Sequence, residues 1–267
     1  MQRERTRDAT RAFRWAASPL LTIMQVTGSN DSFTRVSMMT MESNNISRIS
    51  IQVGLSGYSF KVYAGEETER SGWQSADRIF TTSQFQKMYD EVDVSVFTPK
   101  CTLVPTQFCP PESARQILSE VVELGSEDTV ETVGLPQYGA VLVFSNSIGE
   151  TLSRVIADTV RRTDGSSVRP LPEMYHMLMS LKELGDYNKI VASYMDGILY
   201  LVVAQGNTLL LCNSYKAVDF TTAEYFIFSA MKKFQLNPEV SSICFRTPLD
   251  YEQEMSLYRY FKSVDKL

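Results

Sequence analysis

The sequence has a single histidine, His176, and its four cysteines, Cys101, Cys109, Cys212 and Cys244, form no C-x-x-C pair. A zinc site draws on clustered Cys and His ligands at short spacing, so no metal site is expected. The cysteines then read as inert, reduced thiols, and the chain as one from a reducing, cytoplasmic compartment. No run approaches the ~20 apolar residues that span a bilayer, so no membrane association is expected. There is no G-x-x-x-x-G-K-S/T loop and no G-x-G-x-x-G after a strand. Gly54-Leu55-Ser56-Gly57 is one residue short of the G-x-S-x-G elbow of hydrolases. Positive charge is also scarce: 26 Lys and Arg stand against 31 Asp and Glu, a formal net charge of -5. That balance opposes the counterion release behind non-specific nucleic-acid binding. His176 falls off the apolar stripe of its own segment and is expected to face water. With no Cys or Ser motif nearby it has no catalytic role in this reading.

What remains is a chain able to fold. Its 267 residues are 43% hydrophobic and 21% charged, enough to bury a core. The first forty or so residues stand apart. Arg3, Arg5, Arg7, Arg11 and Arg14 precede an apolar run, Ala16 to Met24, that Pro19 breaks. It makes a poor signal peptide. A start at Met38, Met39 or Met41 accounts for it better, and the segment is expected to be poorly ordered.

Beyond it the patterns are periodic. Ile49, Ile51 and Val53, then Tyr58, Phe60 and Val62, alternate with polar residues across a Gly-rich turn, which predicts a hairpin. Trp73–Phe80 reads as a weaker strand, and Thr81–Glu91 as a short helix with Phe85, Met88 and Tyr89 on one face. The acidic run Glu66–Arg70 reads as a solvated loop. Val92–Phe97 is a buried-looking strand closed by Thr98-Pro99. Pro110-Pro111 open a helix faced by Ala114, Ile117, Leu118, Val121 and Val122. Ala140–Phe144 is another buried strand, and Ile148, Leu152, Val155, Ile156 and Val160 give one more helix.

Thr163–Pro172, rich in Gly, Ser and Pro, is a candidate linker. A helical stripe of Met174, Met177, Leu178, Leu181 and Leu184 follows it. Strands are then expected at Ile190–Tyr194, Ile198–Val203 and Thr208–Asn213. The next helix is faced by Ala223, Phe226, Ile227, Ala230, Met231 and Phe234, with Thr221 and Glu224 at capping-box spacing. Val240–Phe245 is a strand. Asp250–Val264 reads as a final helix with Tyr251, Met255, Tyr258 and Phe261 inward. Tyr225, Phe228 and Tyr260 fall outside the main stripes and suggest an exposed apolar patch suited to a protein partner.

The order strand, strand, strand, helix, strand, helix thus occurs twice. The late strands end alike, in Phe97-Thr98-Pro99 and Phe245-Arg246-Thr247-Pro248. Such repetition predicts an α/β chain of two similar halves, each a mixed sheet with packed helices.

Four segments carry a resemblance: Ile49–Val53, Gly57–Phe60, Thr98-Pro99-Lys100-Cys101-Thr102-Leu103-Val104-Pro105, and Leu209–Tyr215. They resemble an uncharacterised bacterial family of unknown function with an actin-like ATPase fold, from about Arg48 to the C-terminus. The resemblance implies two ribonuclease-H-like (actin-like) halves, 45–165 and 166–267, after the extension 1–44. In outline the chain is also similar to pilus-assembly actin-like proteins, which act partly as scaffolds.

Active members of that superfamily hold Mg-ATP between the halves, with an Asp at the end of the first strand organising the magnesium shell. Here the matching position is Gln52, whose amide lacks the charge a magnesium shell prefers. In the second half it is Ser193 or Tyr194. Neither first strand, Arg48–Val53 or Lys189–Met195, contains an acid. Gly54, Ser56, Gly57 and Ser59 could seat a phosphate, and Asp196-Gly197 could serve the second half, but hairpin-turn chemistry explains all of them without a ligand. Where relatives carry a Gly-Gly pair near adenosine, this chain has Phe245-Arg246-Thr247-Pro248. The carboxylates of a ribonuclease-H-like nuclease are missing too, the nearest acid being Asp93 at a solvated strand start. The expected function is therefore that of a non-catalytic binding or scaffold module with a protein partner and no cofactor. The alternative is a divergent ATP- or nucleotide-binding protein using Gln52, Gly54, Ser56, Gly57, Ser59, Asp196 and Gly197.

Overall fold

The computed structural model describes residues 47–55, 57–65, 67–147 and 150–267. The N-terminal extension with its alternative starts, and Ser56, Glu66 and Ile148, lie outside them. The chain begins with β1 (Ser47–Val53), β2 (Gly57–Ala64), β3 (Glu67–Arg70), β4 (Gln74–Ser75), β5 (Met88–Tyr89) and β6 (Glu91–Val96). Next come β7 (Cys101–Pro105), α1 (Ala114–Ser119), β8 (Glu131–Leu135), β9 (Ala140–Phe144), α2 (Glu150–Thr159), β10 (Arg161–Arg162), β11 (Leu171–Pro172) and α3 (Glu173–Ser180). The last part holds β12 (Asn188–Met195), β13 (Ile198–Gln205), β14 (Thr208–Lys216), α4 (Phe220–Lys233), β15 (Ser242–Phe245), α5 (Tyr251–Tyr258) and β16 (Ser263–Lys266).

Two sheets repeat one plan. The first has the order β11-β6-β1-β2-β3, the second β16-β15-β12-β13-β14. In each, the hairpin pairs are antiparallel and the late strands parallel to the first: β1 with β2 and β6, β12 with β13 and β15. The duplication read from the sequence is thus a duplication of sheet topology. A small antiparallel sheet, β7-β9-β8, and the pair β10-β5 are additions to the first copy.

Alternation decides which faces are covered. Ile49, Ile51, Val53, Tyr58 and Phe60 point to one face of the first sheet, where they meet Ile79, Phe85, Ile156 and Val160. In the second sheet both faces are apolar. Ile190, Ala192, Leu199 and Leu201 pack with Ala223, Ile227 and Leu257 of the helices outside. Val191, Tyr200, Val202 and Cys244 pack with Met174, Met177 and Leu178 of α3 and with Leu142 and Phe144 of β9. Among the described residues no helix is long and apolar enough to cross a membrane.

Several local expectations are corrected. Trp73–Phe80 is a two-residue strand followed by a 3-10 turn, Ala76–Thr81, and Phe80 is exposed. The helix expected over Thr81–Glu91 is a 3-10 turn, Ser83–Gln86, and then β5. Extended Thr82 breaks it, and Met88 faces solvent. The solvated loop is β3, because the free edge of β2 offers it partners at Val62, Tyr63 and Ala64. The helix opened by Pro110-Pro111 is α-helical only over Ala114–Ser119, which leaves Val121 exposed. The expected capping box at Thr221 and Glu224 is a simple N-cap two residues earlier, where Asp219 accepts from Thr222 N at 2.7 Å. The capping box is at α5, between Asp250 and Gln253. That helix stops at Tyr258, since Ser263–Lys266 pairs in parallel with β15. Leu257 and Phe261 are buried, whereas Tyr251, Met255 and Tyr258 are exposed.

Candidate functional site

The ends of β1, β6 and β12 carry Gln52, Ser95 and Ser193, each buried between apolar neighbours. They converge on Glu173, the first residue of α3, whose side chain is 0% exposed. Its Oε1 accepts from Gln52 Nε2 at 3.0 Å, Ser193 Oγ at 2.6 Å and Arg246 Nε at 2.8 Å. Its Oε2 accepts a short hydrogen bond from Ser95 Oγ. Ser59 Oγ in turn donates to Gln52 Oε1 at 3.5 Å. Pro172 ends the preceding strand in extended geometry, so Glu173 opens the helix with its carboxylate at the positive end of the dipole. Burial alone would push this carboxyl up. The Arg246 charge and the hydrogen bonds from Arg246, Ser193 and Ser95 outweigh it, and Glu173 is held below the usual carboxylate range.

The two hairpin turns meet above this network. Asp196 and Gly197 have φ of 52° and 72°, the left-handed pair of a two-residue turn. Asp196 Oδ2 reaches the first turn and accepts from Leu55 N at 3.3 Å. Gly54 lies directly against it: a Cβ there would stand 3.1 Å from Asp196 Oδ2 and 3.0 Å from the Trp73 ring. Gly57 is more tightly enclosed, with Gln74 O 2.0 Å from where its Cβ would be. A bulky residue at Gly57 would therefore collide with β4 rather than block an open cleft.

Of the residues named from the sequence, Gln52 and Ser59 join the Glu173 network, and Gly54, Asp196 and Gly197 form the touching turns. Gly57 is a packing position, and Ser56 lies outside the described residues. The arrangement does not fit a magnesium-bound nucleotide. Both Glu173 oxygens already accept hydrogen bonds, and the first turn's donor at Leu55 is taken by the chain's own carboxylate.

Sequence reasoning passed over Glu173, Ser95 and Arg246. The available signal was a polar residue inside an otherwise apolar strand or stripe, as in Val94-Ser95-Val96. Asp93 is partly exposed, and Arg48 Nη2 donates to it at 2.7 Å. One correction belongs here. His176 does not face water. Its ring is half-buried, with Nε2 3.4 Å from Val94 O, and desolvation together with the Arg246 charge brings its pKa down to about 4. The cysteines are free thiols, and burial pushes Cys101 and Cys244 up to about 12.

Comparison with known proteins places this geometry in a family and a fold. Residues 37–264 match a family model described as "Protein of unknown function (DUF3822)". Comparison with curated proteins gives no match. Among solved structures, a Bacteroides thetaiotaomicron protein with an actin-like ATPase fold and unknown function superposes with a TM-score of 0.59 at 16% identity, covering 86% of this chain and 94% of that one. A PilM–PilN type IV pilus biogenesis complex gives 0.46 at 11% identity, covering 84% and 88%. The ethanolamine utilization protein EutJ from Carboxydothermus hydrogenoformans gives 0.40 at 10% identity, covering 82% and 84%. The fold is actin-like.

Proposed function

We propose that this chain, which belongs to the DUF3822 family, is a non-catalytic binding or scaffold module whose inter-sheet cleft is closed by its own acidic side chains. The observation that carries the reading is the fully buried Glu173 carboxylate, which ties Gln52 and Ser95 of the first sheet to Ser193 and Arg246 of the second. An active site for phosphoryl transfer keeps donors and metal ligands free for a charge that develops in the transition state. Here they are spent on an internal ion pair that holds the sheets together.

A protein partner is the expected ligand. Tyr225 and Phe228 lie one turn apart on α4, Tyr260 packs on Phe228 with ring centroids 4.9 Å apart, and Tyr225 and Tyr260 are 66% and 50% exposed. Exposed aromatics of this kind suit a protein interface. The free thiols and acidic balance favour a cytoplasmic protein that does not bind nucleic acid.

The test is thermal unfolding with and without millimolar Mg-ATP and Mg-ADP. The midpoint is expected to stay where it is. A ligand at a hundred times its dissociation constant adds about 2.7 kcal/mol and moves the midpoint by several degrees. A magnesium-dependent rise of that size would overturn the scaffold reading in favour of a divergent nucleotide-binding protein.

A further inference from the structure

The inward face of the first sheet is polar. Ser50, Gln52, Ser59, Lys61 and Tyr63 alternate with the core residues of β1 and β2, and Arg70 of β3 stands beside Lys61. Across from them run Phe245–Leu249 and the end of β16, and the two walls flank a partly open cavity of about 160 Å³.

Its side-chain charge is one-sided. Arg246 is neutralised by Glu173 at 2.8 Å and Lys266 by Glu254 at 2.7 Å. Among the described residues Lys61 and Arg70 have no carboxylate within ion-pair distance, and Arg70 is held only by a 3.3 Å hydrogen bond to Lys266 O. Lys61 is half-buried, and desolvation, then the Arg70 and Arg246 charges, bring its ammonium down to about 8 against a small opposing pull from Glu173. Two cations converging on a partly dry cavity repel one another, and an anion between them removes that repulsion.

The size and walls of the cavity restrict the anion. A cavity near 150 Å³ holds one benzene-sized body, whereas sites for larger organic ligands run from about 300 Å³ upward. Pro248 and Leu249 give an apolar wall opposite the cations. We propose that this cavity binds a small phosphate-type dianion, an oxyanion head group between Lys61 and Arg70 on a body no larger than one ring, without magnesium. The site lies between the sheets, apart from the touching turns, and shares Gln52, Ser59 and Arg246 with the Glu173 network, so it occupies the part of the cleft that network leaves open.

Phenyl phosphate and inorganic phosphate are the probes, titrated calorimetrically into the intact chain in EDTA, with phenol as the uncharged control. Phenyl phosphate should bind, inorganic phosphate more weakly, and phenol not detectably. Lys61→Met keeps the apolar stem and removes the charge. It should weaken phenyl phosphate by about tenfold or more, the loss of one charge-assisted hydrogen bond, while the free variant melts no lower than wild type. Arg70→Ala, at an exposed position, should weaken binding in the same direction without touching the fold. Equal affinity in wild type and both variants, or no heat from either phosphate at millimolar concentration, would overturn the proposal. A magnesium-dependent ATP response that survives both substitutions would count against the scaffold reading alone.

Discussion

The two sheets share one strand order and use their inward faces in opposite ways. In the second sheet Val191, Tyr200 and Val202 are buried against α3 and β9. In the first sheet the equivalent face carries Ser50, Gln52, Ser59 and Lys61, and it meets a carboxylate at one end and a cavity beside it. One copy is sealed by hydrophobic packing, the other by a charged network. The difference teaches that a repeated topology fixes strand positions while leaving each face free to be core or site.

The sharpest way to break that contrast is to remove the charge that seals the first face. Glu173→Ala leaves Arg246 without its partner and the three buried donors Gln52, Ser95 and Ser193 unsatisfied, and should cost about 3–5 kcal/mol in urea unfolding. Replacing the pair together, Glu173→Met with Arg246→Leu, should recover much of that loss, because no uncompensated charge remains. Asp196→Ala removes only an exposed 3.3 Å contact to Leu55 N and should cost less than about 1 kcal/mol. If Asp196→Ala proves as damaging as Glu173→Ala, the turns and not the buried network hold the sheets together.

The two turns give the next contrast. Gly57→Ala drives a methyl into Gln74 O and should cost about 3 kcal/mol, the upper end of overpacking. Gly197→Ala meets nothing closer than Ala217 O at 3.6 Å and suffers only from its φ of 72°, about 1–2 kcal/mol. Equal losses in thermal melts would mean that β4 yields to the added methyl and that packing does not select glycine at position 57.

An effect of a different kind appears with acid. His176 is the only histidine, so its imidazole resonance can be followed alone through a pH titration. Desolvation and Arg246 oppose its protonation, Asp93, Glu173 and the Val94 carbonyl favour it, and the net position is about 4 against an ordinary 6.5. Between those values the unfolded chain binds a proton that the native chain refuses. The stability from neutral His176 is therefore complete above pH 6.5 and is lost as pH falls toward 4. A resonance midpoint near 6.5 would return the ring to water, where the helical periodicity had put it.

That periodicity was reliable where structure is local. The alternation of Ile49–Val53 and Tyr58–Val62, the Asp196-Gly197 turn and the apolar stripe of α4 each report a face to their own near neighbours, and all are present. The short elements went unread for a common reason. β3, β11 and β16 carry little alternation of their own and exist because a neighbouring strand offers a free edge. The end of the chain shows this directly: Ser263–Lys266 gives up the expected helix to pair with Ser242–Phe245.

The sequence by itself determined the doubled α/β plan, the hairpins and the absence of an acid on either first strand, because those follow from hydrophobic period and residue identity within a few positions. Only the tertiary structure decided that the ends of both first strands meet the carboxylate of Glu173. A residue 121 positions from Gln52 and 73 from Arg246 shows no pattern linking it to them. A buried carboxylate is stabilised by the donors that surround it in space, and which donors those are depends on how the two sheets come together.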